Sequence, residues 1–433
     1  MAKKKLSILL LCDKYYNLAS TVHDHIDAIS NSRHSVFVLD SRKKIPSAIK
    51  LEYFDVVVIH YSLVMCSTNY IPKETSEKIR KFSGLKACFI QDEYRFINDT
   101  VNALKFLGMH LIFTCVPPSE FEKVYPQSIL EGVRCVNVLT GCVPKQLLQK
   151  QVPSYQDRPI DVSYRGRALP FWLGSLAQDK SNIAKIFKKD AVRFNLITDI
   201  EYLEEARIYK NKWIEFLMSS KACLGVESGA SVFDFTGEIE SNIQRHLKSD
   251  PSASFELISK LYLEEYEGKI KLNQISPRCF EAASLRTLMI LYEGEYSNIL
   301  VPWRHYVPLK KDHSNMQEVV DALRNVPLAE KIISQAYKEV ALNKSCSYDY
   351  LTEVFDRSIE EQIIKMNVRN PKVNWVYRSL VMRYARLSVV AYYYLHPFSS
   401  LLKKMSSNWL LFLRRICPTP LKKLIKAALL CRS

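Results

Sequence analysis

Short apolar runs rich in β-branched residues recur through the first third of the chain, at residues 6–11, 35–39, 56–60, 87–91, 111–115 and 133–139. Stretches of helical character lie between them, such as 19–30 and 76–82. Continuous apolar strands that alternate with helices specify a parallel sheet covered on both faces. Ligands of such sheets bind beyond the carboxyl ends of the strands. The polar residues at those ends are therefore site candidates: Asp13 and Lys14, Asp40, His60 with Tyr61, and Gln91-Asp92-Glu93-Tyr94-Arg95.

Prolines at 144, 153 and 159 mark a linker, after which the same rhythm restarts. Strands are expected at 160–164, 192–197, 222–226, 287–291 and 305–309. Ser314 with Gln317 reads as a capping box for a helix over 316–324. Helices over 328–342 and 348–366 are expected to close this second unit. A chain of 433 residues has room for two such domains, 1–145 and 157–366, and an appendage.

Glycine is scarce, 11 residues in all, and neither Gly-x-Gly-x-x-Gly nor a Walker loop occurs. Any phosphate site must then rest on helix N-termini and arginines. The 11 cysteines include no Cys-x-x-Cys pair, which argues against structural zinc and against a disulfide framework. No metal is expected, and the compartment is expected to be reducing. The apolar run behind Met1-Ala2-Lys3-Lys4-Lys5 is too short for a signal-peptide core and reads as a first strand.

Ser276-Pro277-Arg278-Cys279-Phe280-Glu281 opens a helix with a good N-cap and proline at the first helical position. The free N–H groups and the positive dipole end there favour an anion. Arg278 and Glu281, three apart, share a face. Together they offer a cation for phosphate and a carboxylate for sugar hydroxyls. The plainer alternative is a capped surface helix with an ion pair along it.

The net charge of +16 is concentrated at one end. Residues 370–433 carry twelve Lys and Arg and no Asp or Glu; the remainder holds 49 basic against 45 acidic residues. Prolines at 397, 418 and 420 divide this tail into short basic, apolar helices, and Arg383 and Arg386 interrupt its longest run. No uninterrupted span long enough to cross a bilayer results. Such helices suit the surface of an anionic membrane. The alternative is that they pack on the protein with their lysines solvated.

Residues 276–283, with Leu288-Met289-Ile290-Leu291, Tyr306-Val307-Pro308-Leu309, Tyr164-Arg165-Gly166-Arg167 and Gly225-Val226-Glu227-Ser228-Gly229-Ala230, form an ordered set. In this set the chain resembles group-1-like glycosyltransferases of the GT-B fold, in the branch with a spore-maturation-protein-like C-terminal domain. The likeness covers about residues 157–365 and is only architectural over 1–145. It implies two facing Rossmann-like domains and transfer of a sugar from a nucleotide-sugar donor to a lipid-linked or surface polysaccharide acceptor. The donor is a substrate, so no cofactor is expected. By this likeness Glu281 binds ribose hydroxyls, the helix start at Ser276 and Pro277 with Arg278 faces the diphosphate, and Arg165 or Arg167 neutralises the leaving group. Many relatives carry a second glutamate seven or eight residues before the ribose-binding one, where this chain has Asn273 and Gln274. Relatives also often end this helix with glycine, where this chain has Arg286. Glu227 is a candidate substitute for the missing glutamate.

Acid–base candidates are the cluster His23-Asp24-His25, with His23 foremost, together with Asp92 and Glu93. His60 reads more simply as a satisfied polar group at a strand end. His305, with Trp303 and Arg304, either lines the cleft or introduces the next strand. Two other functions compete: nucleic-acid binding through the basic tail, and sugar-nucleotide epimerisation on the same fold. The tail lacks an RNA-binding motif and interleaves its charges with long aliphatics, so no nucleic-acid partner is expected. An epimerase would need no membrane tail. The expected location is cytoplasmic, peripheral on the inner face of the plasma membrane.

Overall fold

The computed structural model describes residues 5–14, 19–40, 45–46, 49–367 and Arg383. The basic tail expected to bind membranes therefore lies, apart from Arg383, outside the described residues. In the first domain β1 (Ser7–Cys12), β2 (Ser35–Asp40), β3 (Val56–Ile59), β4 (Leu85–Ile90), β5 (Leu111–Thr114) and β6 (Arg134–Asn137) pair in parallel in the order β2-β1-β3-β4-β5-β6. The helices are α1 (Ser20–Ser30), α2 (Lys73–Lys81), α3 (Ile97–Leu107), α4 (Phe121–Val124) and α5 (Lys145–Leu148).

Both faces of the central strands β1, β3, β4 and β5 are buried, which is why these read as near-continuous apolar runs. Leu9, Leu11, Val57 and Ile59 meet Ile79 of α2 and Val101 and Leu104 of α3. The alternate residues Ile8, Leu10, Val56 and Val58 face Val22, Ile26 and Ile29 of α1.

The second domain holds β7 (Ile160–Arg165), β8 (Thr198–Glu201), β9 (Ser220–Gly225), β10 (Leu288–Tyr292) and β11 (Val307–Leu309), parallel in the order β11-β10-β9-β7-β8. Its helices are α6 (Ser175–Arg193), α7 (Asn211–Met218), α8 (Glu238–Ser249), α9 (Phe255–Tyr262), α10 (Pro277–Ser284), α11 (Met316–Arg324) and α12 (Val326–Ala336), and α13 (Tyr348–Met366) follows them in the chain. Pro308 is accommodated because β11 is an edge strand.

Three expectations need correction. The strand expected at 192–197 is the last residues of α6 and the turn after it, with β8 following. Ile183, Phe187 and Ala191 recur at four-residue spacing on the buried stripe, whereas Val192 and Ile197 are 75% and 63% exposed. The Ser314 capping box does not form. Asn315 is the N-cap of α11, and its side chain accepts from Lys310 N–H instead.

The third concerns α13, expected to close the second domain. It lies on the first sheet, where Leu351, Phe355 and Ile359 join the α1 side of the core. Phe355 packs 5.9 Å from Phe89 and 5.6 Å from Phe113. Arg33 pairs with Glu360 at 2.7 Å.

The domains also meet beside the cleft. Arg95, after β4, forms a two-point ion pair with Glu240 of α8 at 2.6 and 2.7 Å. Asp234 N–H donates to the Tyr94 carbonyl at 2.9 Å. Phe233, Ile270 and Leu272 reach into the first domain's core.

Candidate functional site

Each sheet reverses its strand order once, between β1 and β3 in the first and between β7 and β9 in the second. The carboxyl ends at such reversals diverge and leave a crevice. Here the crevices face one another around a cavity of about 770 Å³. From the first domain it is lined by the start of α1 (Ser20, Thr21) and the loop after β4 (Gln91 to Arg95). From the second it is lined by the loops after β7 and β9 and the mouth of α10.

Ser276, Pro277, Arg278 and Glu281 all line this cavity. Ser276 is the N-cap of α10, yet its hydroxyl makes no cap bond, and Pro277 occupies the first helical turn. Arg278 donates to the Arg165 carbonyl. Its guanidinium carbon lies 4.8 Å from the Tyr164 ring centre and 5.1 Å from that of Trp213. Glu281 is 8% exposed, and its Oε2 accepts from Trp213 Nε1–H at 2.8 Å. Burial raises its pKa, opposed by that hydrogen bond and by Arg278.

Arg165 lines the cavity but is already engaged. It pairs with Asp199 on the neighbouring strand β8 at 2.8 Å, and its guanidinium carbon lies 4.3 Å from the Phe216 ring centre. Arg167, two residues on, is exposed at the cavity wall. Lys180 of α6 joins this basic group. Burial, then Arg278 and Arg167, pull its pKa down to about 8, against an opposing pull from Asp92.

Glu227 does not line the cavity, although Val226 and Ser228 do. Its Oε1 accepts from the N–H groups of Glu295 and Tyr296 at 2.7 and 2.8 Å, and its Oε2 from Asn273 at 2.7 Å. These bonds hold the turn after β10, so its expected contact with the donor is corrected to a turn anchor.

On the opposite wall Asp92 adopts φ 59° and accepts from the Tyr94 hydroxyl at 2.8 Å. Glu93 is buried: its Oε1 accepts from Thr114, from Cys115 N–H at 3.2 Å and from Tyr125 at 3.1 Å. Its Oε2 has no hydrogen-bond partner. Burial pushes the Glu93 pKa up to about 7, partly offset by those donors.

His23 is not among the cavity-lining residues, because the buried stripe of α1 runs through Val22, His25, Ile26 and Ile29 and directs His23 elsewhere. His25 and His60 form a buried pair, Nδ1 to Nε2, at 3.0 Å. His60 Nδ1 accepts from Ser62 N–H, so His60 carries its proton on Nε2 and donates it to His25. Burial drops the His25 pKa to about 3 and holds that of His60 well below the ordinary range. His305 and Arg304 lie outside the cavity, where both engage Glu339.

Lys180 and Trp213 were missed in the sequence. Lys180 is one of several lysines on α6, and Trp213 reaches Glu281 across 68 residues. Neither left a local signal. Among the described residues no group of three His, Cys, Asp or Glu side chains is arranged to hold a metal, and no helix is long and apolar enough to cross a membrane.

No protein-family model and no curated protein matches the chain. Solved structures do. An α-glucosyltransferase in complex with UDP-glucose and DNA containing an abasic site matches with a TM-score of 0.52 at 8% identity, covering 82% of this chain and 100% of that one. A DNA-modifying β-glucosyltransferase matches at 0.47 and 12%, covering 82% and 100%. HepE of Anabaena in complex with UDP matches at 0.46 and 8%, covering 83% and 100%. At such identities the α-glucosyltransferase match is a likeness of fold, and with the two facing parallel sheets it makes this chain an α/β protein of the GT-B fold.

Proposed function

We propose that the chain is a glycosyltransferase that takes a sugar from a nucleotide-sugar donor. The observation that carries this reading is the convergence on one interdomain cavity of the α10 mouth, Arg278, Arg167 and Lys180 beside the buried carboxylate of Glu281. Sugar transfer expels a nucleoside diphosphate, and fixed donors and cations aimed at its growing charge lower the barrier. Glu281 would take ribose hydroxyls, and Ser276, Pro277 and Arg278 would frame the diphosphate. Support also comes from the α-glucosyltransferase of like fold, whose complex contains UDP-glucose. The donor is consumed as a substrate, and the reading calls for no cofactor.

The finer parts of the reading are proposals as well. They are membership in the branch with a spore-maturation-protein-like domain, a lipid-linked or surface polysaccharide acceptor, and a cytoplasmic enzyme held at the inner face of the plasma membrane. Residues 370–433 would supply that attachment at about 1 kcal/mol per basic residue near an anionic surface. The deciding experiment incubates the full chain with a panel of nucleotide sugars and oligosaccharide, lipid-linked and DNA acceptors, and measures nucleoside diphosphate release. Release with none of the donors would reject sugar transfer, and release that needs DNA would reject the acceptor class. Salt-sensitive sedimentation with anionic liposomes, lost on truncation near Asn370, tests the tail.

A further inference from the structure

Trp213 touches both halves of the proposed nucleotide site. It projects from α7, half-buried on the cavity wall. Its indole N–H donates to Glu281 Oε2 at 2.8 Å. The same indole lies over Arg278, whose guanidinium is held between the rings of Trp213 and Tyr164 at 5.1 and 4.8 Å. Phe216, three residues on, packs 5.9 Å from Trp213 and carries the Arg165 guanidinium over its own ring. One short helix thus orders a ladder of rings and guanidinium groups beside the α10 mouth.

The two contacts have separable physical origins. An indole N–H donates one hydrogen bond and accepts none, so it fixes how the Glu281 carboxylate turns. The ring face attracts a cation through its quadrupole whether or not the N–H is present. Phenylalanine at this position would keep the second contact and lose the first. A leucine would lose both.

We propose that Trp213 is a positioning residue that couples the two halves of the donor site. Its N–H turns Glu281 toward ribose hydroxyls, and its face sets Arg278 against the diphosphate. The inference rests on the nucleotide-sugar reading above and adds a residue through which the ribose and diphosphate contacts depend on one another.

The test is calorimetric titration of the full chain with three probes: UDP, 2′,3′-dideoxy-UDP and inorganic pyrophosphate. Wild type should prefer UDP to its dideoxy form. Trp213→Phe should lose at least threefold in UDP affinity and most of that preference, while pyrophosphate affinity stays within twofold. Trp213→Leu should lose at least threefold for pyrophosphate as well. Melting curves establish that each variant is folded, and should the leucine variant fail to fold, Trp213→Met, which likewise lacks both the donor and the ring face, takes its place.

A second readout is the pH profile. Loss of the indole donor should move upward the pH below which UDP affinity falls, because that hydrogen bond favours the charged form of Glu281. A folded Trp213→Phe that keeps wild-type UDP affinity, or loses UDP and pyrophosphate equally, overturns the coupling. A wild-type chain that binds none of UDP, GDP and ADP overturns the nucleotide reading itself.

Discussion

The two walls of the cavity are built from opposite chemistry. The second domain presents Arg278, Arg165, Arg167 and Lys180, two of them braced against aromatic rings. The first presents Asp92 and the buried Glu93, and behind them a His25–His60 pair that burial keeps neutral. One wall is rich in fixed cations, and the other carries carboxylates. In the proposed sugar transfer the cationic wall would face the expelled diphosphate, and an inverting reaction would also call on a base at the acceptor hydroxyl, which the opposite wall could offer.

The largest expected effect falls on the cationic wall. Arg278→Ala should lower turnover by roughly 10²- to 10³-fold, the scale of removing one preorganised donor at a developing anion. Lysine should rescue only in part, since it lacks the planar fork. Wild-type turnover in a folded Arg278→Ala would break the division between the walls.

The acidic wall is next, and its signature is pH. Glu93 has a folded pKa raised from 4.5 to about 7, so it favours the folded state below 4.5 and that contribution is lost as pH rises through 7. The amount is about 3 kcal/mol. His25 has a folded pKa lowered from 6.5 to about 3, so its contribution is complete above 6.5 and is lost as pH falls toward 3. Urea midpoints measured from pH 4 to 8 should show Glu93→Gln removing the loss on the alkaline side and His25→Phe removing the loss on the acid side. Unchanged midpoint profiles in both variants would mean these groups are not buried as described.

Smaller still, Glu281→Ala should weaken nucleoside diphosphate binding by roughly 1–3 kcal/mol without unfolding the chain. Calorimetry on the folded variant decides it, and unchanged affinity would remove Glu281 from the site. The smallest effect sharpens the comparison by its absence. Glu227→Gln should leave nucleotide affinity within twofold of wild type while lowering the melting temperature, because its carboxylate holds the turn at Glu295 and Tyr296. A loss of affinity as large as that of Glu281→Ala would place Glu227 in the site after all.

These residues also show where the sequence was readable. Of the eleven strands among the described residues, ten overlap segments expected from the sequence, and central ones such as β1, β3, β4 and β5 read as apolar runs because both faces of the sheet are covered there. The exception, β8, lies beside exposed Val192 and Ile197, which imitate a strand without being buried. The α10 mouth was legible because capping and proline preferences are local. For Glu227 the sequence marked the loop but not the aim of the side chain: Gly225, Val226, Ser228 and Gly229 line the cavity, while its carboxylate is held by the N–H groups of Glu295 and Tyr296, 68 and 69 residues on. Arg165 carries the right charge, but its partner Asp199 arrives from another strand. Lys180 and Trp213 depend on how helices pack, which no local pattern encodes.

The placement of α13 has a consequence for the order in which the chain is made. The last strand of the first sheet ends at Asn137, yet Leu351, Phe355 and Ile359, which seal one of its faces, come more than 200 residues later. At roughly 5–20 residues per second, a ribosome needs on the order of 10–40 seconds to span that gap. For that interval Ile8, Leu10, Phe89 and Phe113 await part of their cover, and a nascent first domain is a natural client for chaperones. A fragment ending at residue 145 should inherit the same exposed face permanently and aggregate, however complete its sheet.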